Sequence, residues 1–488
     1  MTRTFNFKIV WFSLGALLII EALFMFLTLG VSLLYGEHDY MAILYSALIT
    51  LGVGLVGLLV GRKNDKRLGK REGYIIVASV WLVFSLFGLL PYYFSGAIPH
   101  FTDAFFETIS GFTTTAASIV TDVEVLSHGM LFWRSLTNWL GGMGIIVLSL
   151  AIFPFLGVGG MSLFTAEVTG ATYEKIRPKM KDTAKYLWGM YLLLTIVETL
   201  LLRVCGMGWF DAVCHSFTTI STGGFSTKNA GVGAYGPGVH YVVLLFMILG
   251  GVNFTLLYFL FKGKIKRLRE DEELRWYLSA MGIFSVIVTI VLFVMADTHT
   301  WSTWETSFRQ ATFNVVALIT TTGFAGFDYT LWPSILPLLM FLLYFTGGSA
   351  GSTSGGIKWS RIAFLCKNVF CEFKRLIHPN AIIPVRMNGK VINSGIANGI
   401  TAFIIIYLGL IVVGTLVCVL CGLSVIEAFG AVTASIGNVG PGLGESGPAG
   451  NYAMMPDIVK WILTAYMLLG RLELFTILLI FTPAFWRK

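Results

Sequence analysis

The residues best suited to chemistry in this chain are short hydroxyl runs that end in glycine or alanine. Thr114-Thr115-Ala116, Ser221-Thr222-Gly223, Thr321-Thr322-Gly323 and Ser435-Ile436-Gly437 each read hydroxyl, any residue, then Gly or Ala. The chemistry open to such a loop is coordination. Its backbone carbonyls can replace the hydration shell of a dehydrated cation. Glycine lets those carbonyls point inward, because it tolerates dihedral angles that a Cβ forbids. Four copies in one chain could close a four-fold ring without a tetramer. The candidate ion-binding residues are therefore Thr114, Thr115, Ala116, Ser221, Thr222, Gly223, Thr321, Thr322, Gly323, Ile436, Gly437 and Asn438, with the cation held by carbonyl oxygens only.

The flanks of these loops repeat as well. Asp103-Ala104, Asp211-Ala212, Gln310-Ala311 and Glu427-Ala428 precede them, with Ala-to-Gly (or Ala) intervals of 12, 11, 12 and 9 residues. Between dipeptide and loop lies a half-helix: Asp103–Phe112, Trp209–Thr218, Trp304–Val316 and Ser424–Thr433. The carbonyl end of each carries partial negative charge and would face the cation. The fourth interval is about a turn short, so that half-helix is expected to be shorter or differently aligned. Long apolar segments flank every copy, and the loops recur at separations of 107, 100 and 114 residues. The fold expected is an all-α polytopic membrane protein with four tandem helix–loop–helix repeats around one pore. The repeats occupy 73–160, 161–270, 271–390 and 391–488, after a two-span hairpin in 1–72. Non-helical backbone at membrane depth is tolerated where it lines a water-filled path.

Composition agrees with a membrane solvent. The chain has 488 residues, 56% hydrophobic and 12% charged, and a mean hydropathy of +0.78. A soluble protein of this length carries more charge. The first apolar segment, Val10–Leu34, reads as a retained span and not a cleaved leader. A net charge of +8 raises nucleic acid as a partner, but the distribution argues against it. Of 34 Lys and Arg, 28 lie in the two termini and in the loops Gly61–Glu72, Gly157–Lys185, Lys262–Arg275 and Lys358–Lys390. That alternation is the positive-inside pattern and puts both termini in the cytoplasm. On the other side Asp103, Asp211, Glu305 and Glu427 are expected to form an acidic mouth that concentrates cations. No nucleophile–base pair or metal-ligand spacing is visible, so neither an enzyme nor an organic cofactor is implied. Cys418-x-x-Cys421 sits in an apolar helix, where a core role outweighs thiol chemistry. Cys205 and Cys214 lie close enough to the outer face to pair, though nothing requires it.

A second constellation lies in the third return segment. Leu338–Thr346 is followed by ten small residues, Gly347 to Gly356, five of them glycine. Such a run disfavours helix and reads as a broken span with a mobile loop beneath the ion-binding loops. Gly347, Gly348, Ser349, Gly351, Gly355, Gly356 and the following Lys358 are the candidate gate, together with Arg471. The competing reading of the glycines is a helix-packing seam. Arg471 is a mid-span charge, which faces a cavity or a partner by default. Asn138 and Asn253, beside glycine pairs in return spans, read as packing polar groups.

Taken together, Thr113-Thr114-Thr115, Asn138-Trp139-Leu140-Gly141-Gly142-Met143-Gly144, Ser221-Thr222-Gly223-Gly224-Phe225, Thr320-Thr321-Thr322-Gly323-Phe324, Gly355-Gly356-Ile357-Lys358, Gly437-Asn438-Val439-Gly440-Pro441 and Gly470-Arg471-Leu472-Glu473 resemble the TrkH/KtrB superfamily of potassium transporters. The leading hairpin favours its longer members over the shorter KtrB type. The resemblance implies K+ as the transported ion, channel-like permeation, filter glycines at Gly223, Gly323 and Gly437, and a restriction at Gly347–Gly356 and Arg471. It also implies a homodimer in the lipid of a bacterial inner membrane, with a cytoplasmic TrkA-like nucleotide-binding ring docked on the basic loops. One residue departs from the pattern: Ala116 stands where the family expects glycine. In plant relatives serine at that place accompanies sodium permeation, so weakened K+/Na+ discrimination is expected here. A Na+-permeable or Na+/H+-coupled transporter of the same fold is the alternative. A transporter of the alternating-access type would show two repeated halves, not four loops.

Overall fold

A computed structural model of the chain describes residues 5–62, 69–144, 180–333 and 335–487. Residues 145–155 of the first return span, most of the second basic loop and Lys63–Arg67 lie outside the described residues.

The chain opens with two antiparallel helices, Phe7–Tyr35 and Tyr40–Gly61. Asn6 caps the first by accepting from the Ile9 N–H, and Gly36 ends it with φ 66°. Small residues bring the two backbones together. A Cβ on Gly15 would lie 2.6 Å from Gly54 O, and one on Gly61 would lie 2.7 Å from Lys8 O. In lipid such close packing replaces the hydrophobic drive that water supplies. Both ends of the hairpin are tied to the first repeat. Asn6 N donates to Glu72 Oε1 at 3.2 Å. Glu37, between the helices, accepts from the N–H groups of His128 and Gly129 at 2.7 and 3.0 Å. Burial alone would raise the Glu37 carboxyl, but those two donors and the His128 ring hold it below its ordinary range.

One order of elements then recurs four times. The first unit has a span at Lys70–Gly88, a half-helix at Phe101–Phe112 and a return helix at His128–Gly142. The second has Met180–Val204, Trp209–Ile220 and Pro237–Gly250. The third has Glu272–Val294, Trp301–Ile319 and Ile335–Leu343. The fourth has Ser394–Leu420, Val425–Gly437 and Asp457–Arg471. Among the described residues, six helices are long and apolar enough to cross a membrane, or up to eight if each bent pair is one span. The protein is a multi-pass, all-helical membrane protein.

Burial sorts the helices by role. Every residue from Ala104 to Phe112 is buried, whereas Leu408, Val412 and Leu416 on the last long span are exposed, as a lipid-facing surface should be. The half-helices, rich in Thr and Ser, thus form the interior. Two expectations change. The fourth half-helix is not short; it runs to Gly437, four residues past Thr433. Nor is the third return span alone in being broken. The second turns by 108° between Gly250 and Phe254, and the fourth by 106° between Arg471 and Phe475. The breaks in the second and fourth follow a glycine pair or its Gly-Arg equivalent, whereas the third helix ends at Leu343, ahead of its own pair Gly347-Gly348.

Candidate ion-conducting site

Each half-helix ends in a turn with two residues in the left-handed region, one residue apart. They are Thr114 and Ala116 (φ 54° and 57°), Thr222 and Gly224 (52° and 87°), Thr321 and Gly323 (56° and 64°), and Asn438 and Gly440 (52° and 98°). The hydrogen bonds agree. The first residue of each turn donates its N–H to the carbonyl three back: Gly111, Thr219, Leu318 and Ser435. The N–H groups of Ala116, Gly224 and Gly323 reach the carbonyl six back, at 3.4, 3.3 and 3.0 Å. The equivalent triplets are therefore Thr114-Thr115-Ala116, Thr222-Gly223-Gly224, Thr321-Thr322-Gly323 and Asn438-Val439-Gly440.

That register differs from the one read off the hydroxyls. Gly224 and Gly440, not Gly223 and Gly437, are the counterparts of Gly323. Ser221, Ile436 and Gly437 precede the turns. In the new register the interval from Ala104, Ala212, Ala311 and Ala428 is 12 residues in every unit. Two local features hid this. Gly223-Gly224 offers two glycines, and the fourth unit starts its turn with Asn438, which tolerates the left-handed region without a hydroxyl.

The turns interlock. A Cβ added to Gly224 would fall 1.9 Å from Thr322 O, one on Gly323 1.7 Å from Val439 O, and one on Gly440 2.4 Å from Thr115 O. Each third residue is seated on the middle carbonyl of the next unit: second on third, third on fourth, fourth on first. Ala116, Gly224, Gly323 and Gly440 all line one cavity of about 190 Å3, on the side of the loops that follow the turns. Only Ala116 brings a methyl group to that set.

Beneath the turns the glycine pairs do comparable work. A Cβ on Gly141 would fall 1.8 Å from Phe112 O, one on Gly470 2.0 Å from Ile436 O, and one on Gly250 3.3 Å from Ile220 O. In the first, second and fourth units the return helix thus brings its first glycine against a carbonyl at the end of its own half-helix, while in the third Gly347 meets Gly355 O instead. A side chain there would displace the turn, so the helix is built of glycine and breaks. The second member of the pair is Gly142, Gly251, Gly348 and, in the fourth unit, Arg471. Arg471 Nη1 donates to Thr114 Oγ1 at 2.9 Å and Thr353 O at 2.8 Å, and Nη2 to Gly142 O at 3.0 Å and also to Gly141 O. The carboxylate of Glu473, two residues on, holds Arg361.

The stretch 344–358 is non-helical and lies under three of the four units. Thr353 Oγ1 donates to Ile220 O and Gly250 O at 3.0 and 3.1 Å. Gly355 N donates to Thr321 Oγ1 at 2.7 Å, and a Cβ on Gly355 would meet Gly437 O at 2.4 Å. The loop closes on itself through Gly347 N to Ile357 O (2.9 Å), Gly348 N to Ser354 Oγ (2.7 Å) and Lys358 Nζ to Ser354 O. Ser349 N reaches Gly251 O at 2.8 Å, and Gly351 and Gly356 take φ of 78° and 64°. Glu273 clamps both shoulders, accepting from Ala350 N at 2.7 Å and Ser360 N at 3.0 Å. All the proposed gate residues are thus brought together, with Arg471 as the link to the first turn.

A family model for TrkH, described as a cation transport protein, matches residues 40–488. The chain belongs to the TrkH cation transport family. The TrkH potassium uptake protein of Salmonella typhimurium is 39% identical over 488 residues, 99% of this chain and 100% of that one. The TrkG potassium uptake protein of Escherichia coli is 34% identical over 495 residues, covering 100% of both. The crystal structure of the potassium transporter TrkH from Vibrio parahaemolyticus matches with a TM-score of 0.88 at 34% identity, over 99% of this chain and 100% of that one. TrkH is a family of transporters and not of enzymes.

Two features of this TrkH-family site were not foreseen. Glu107 and Arg134 form a buried ion pair at 2.7 Å behind the first turn. Glu107 also accepts from Ser118 Oγ at 3.0 Å and Ile119 N at 2.9 Å, while Arg134 donates to Ser226 O at 2.9 Å and lies 3.6 Å over the Phe225 ring. The pair ties the chain leaving the first turn to the chain leaving the second. Its signal was present, since a carboxylate in a half-helix and an arginine in a return span are both costly in lipid. The second is the pairing of carboxylates in the expected acidic mouth. Asp103 pairs with Lys460 at 2.6 Å and Glu305 with Arg309 at 2.8 Å, and Asp211 accepts from Thr227 Oγ1 at 2.7 Å. Asp103 and Glu305 thus have their charge compensated by cations, and Asp211 is fastened by a neutral hydroxyl. The six cysteines are free; Cys205 is exposed and Cys214 buried, without a bond between them.

Proposed function

We propose that this protein is a K+ uptake protein of a bacterial inner membrane, with both termini cytoplasmic, in which one chain supplies the whole ion pathway. The observation that carries the reading is the interlocked ring: Thr115 O, Thr322 O and Val439 O are each seated under a residue of the neighbouring unit. Preformed carbonyls, interlocked at three junctions between the four turns, suit a dehydrated monovalent cation, held by backbone oxygen alone and with no organic cofactor. The names of the relatives, potassium uptake proteins, support K+ as the ion. The loop Gly347–Gly356, Lys358 and Arg471 form the restriction beneath the ring. A guanidinium beneath the turns would oppose cations, and its hydrogen bond to Thr353 O in a loop without regular structure gives that barrier a way to move. The working form is a homodimer, regulated by a nucleotide-binding ring docked on the basic cytoplasmic loops.

A second reading is favoured by one residue. Ala116 sits at φ 57° with a Cβ that its three counterparts lack, which argues for reduced discrimination against Na+. Flux into proteoliposomes, with K+, Rb+ or Na+ offered in turn, separates the two. Passive K+ and Rb+ flux with little Na+ supports the K+ pathway, and equal Na+ flux supports the second reading. Flux only under an imposed H+ or Na+ gradient, even with the soluble ring added, would overturn channel-like permeation.

A further inference from the structure

The four turns differ at their middle position, which holds Thr115, Gly223, Thr322 and Val439. Three of these carry a side chain that packs behind the carbonyls. Thr115 Oγ1 lies 2.8 Å from Thr113 Oγ1 and accepts from Asn438 Nδ2 at 2.9 Å. Thr322 Oγ1 lies 2.7 Å from Thr320 Oγ1, and Val439 is fully buried. Gly223 has nothing of its own there. Its φ lies outside the left-handed region, so backbone conformation does not demand glycine. Space does. A Cβ on Gly223 would lie 2.3 Å from Asn138 Nδ2 and 2.5 Å from Asn138 Cγ. The carboxamide of Asn138, on the return helix of the first unit, occupies the place where the other turns keep their own side chain.

Asn138 is wholly buried, and among the described residues neither its Nδ2 nor its Oδ1 has a hydrogen-bond partner. A buried amide in that state is destabilising. Four residues before the second member of each glycine pair, the other units have Met247, Tyr344 and Met467. Only the first unit puts an amide there, and only the second unit lacks the middle side chain. These two exceptions meet at one point. By the rotation that relates the other junctions, Ala116 of the first unit would face the Gly223 carbonyl. The one extra methyl of the ring thus faces its one glycyl carbonyl, the peptide best able to yield to it.

Building on the reading of the turns as the ion-selective ring, we propose that Asn138 is a positioning residue. It is lent by the first unit to the second in place of the side chain that Gly223 lacks, and it holds the Gly223 carbonyl level with those of Thr115, Thr322 and Val439. The test is a side-chain exchange, read as the ratio of K+ to Na+ flux in proteoliposomes of the full chain. Asn138→Ala leaves the glycyl carbonyl unsupported, and the ratio should fall about tenfold, a loss of about 1.4 kcal/mol of discrimination. Gly223→Thr alone should lose flux of both ions, because its Cβ collides with the carboxamide. The double variant N138A/G223T gives the second unit the residue of the first and third, and should restore the wild-type ratio to within about twofold.

An unchanged ratio in N138A, or a parallel fall of both fluxes that N138A/G223T does not repair, overturns the proposal. Should N138A alone fail to reconstitute, the double variant decides. Its K+ preference supports the exchange; indiscriminate flux or failed assembly refutes it. Failure of the underlying reading shows separately, as a wild-type chain without K+ preference.

Discussion

The turns and the layer directly beneath them are built on opposite plans. In the turns, four units present one geometry, with left-handed residues at the same two places and the same spacing from a half-helix alanine. Beneath them, the same four units differ. The first and second place a bare glycine at Gly142 and Gly251, the third extends into the loop that ends at Gly356, and the fourth substitutes Arg471. The lesson is a division of labour. On the function proposed above, coordination of a spherical ion asks for equal ligands from all sides, which the like turns would supply, and control asks for one element able to move against the rest, which the unlike layer below would supply.

This contrast can be broken most severely in the ring. Gly323→Ala adds a Cβ 1.7 Å from Val439 O at a φ of 64°. Displacing that carbonyl by about 1 Å should cost roughly 100-fold in K+ flux, the scale set by a misplacement of that size at a reacting centre. The same test beneath the ring should go the other way. Arg471→Gly makes the fourth unit resemble the first and second, and removes the charge and its bonds to Thr114 and Thr353. K+ flux should rise about tenfold at low ionic strength, as expected when a charge worth about 1.4 kcal/mol leaves a cation path. A fall in flux instead would show that Arg471 serves chiefly to hold the first turn. Ala116→Gly sharpens the comparison. It completes the set of glycines, relieves a left-handed alanine at a saving of about 1 kcal/mol, and should raise the K+/Na+ flux ratio several-fold. Equal ratios in the two proteins would sink the idea that Ala116 relaxes selectivity.

The general fold was legible in the sequence because lipid is a strict solvent. Spans must be apolar and about 20 residues long, and the basic loops alternate, so the hairpin and the order of elements could be read directly. The third return break was legible too, since ten small residues with five glycines disfavour helix more than a packing seam alone requires. The breaks after Gly250 and Arg471 were not. There a short glycine pair or Gly-Arg sits inside an ordinary apolar run, and what ends the helix is a carbonyl of another helix, which no local window contains. The register of the second and fourth turns was lost for a similar reason. Backbone conformation decides which glycine faces the ring, and Asn438 can adopt it as well as a threonine does. The Glu107–Arg134 pair needed partners 27 positions apart in the chain. Asp103 and Glu305, at half-helix starts, suggested charge for the ion, until the structure supplied Lys460 and Arg309 as closer claimants.

The smallest expected effect lies farthest from the ring, where the N-terminal hairpin meets the first unit. Glu37 caps the helix that starts at His128, at whose far end sit Asn138 and the Gly141-Gly142 pair. Its carboxyl is held below the ordinary range by the Gly129 and His128 N–H groups and the imidazole, which outweigh the effect of burial. A depressed carboxyl stabilises the fold fully above the unfolded-chain value and loses that contribution as pH falls through its folded value. Melting temperature of the detergent-solubilised protein should therefore decline toward acid pH, and Glu37→Gln should flatten that decline while lowering the plateau near neutrality. Because the capped helix carries Asn138, the same variant measured at neutral pH also asks how far a loosened helix start is felt at the second turn. A K+/Na+ flux ratio unaltered in E37Q would mean that the glycine pair, pressed on Phe112 O, isolates the ring from the hairpin.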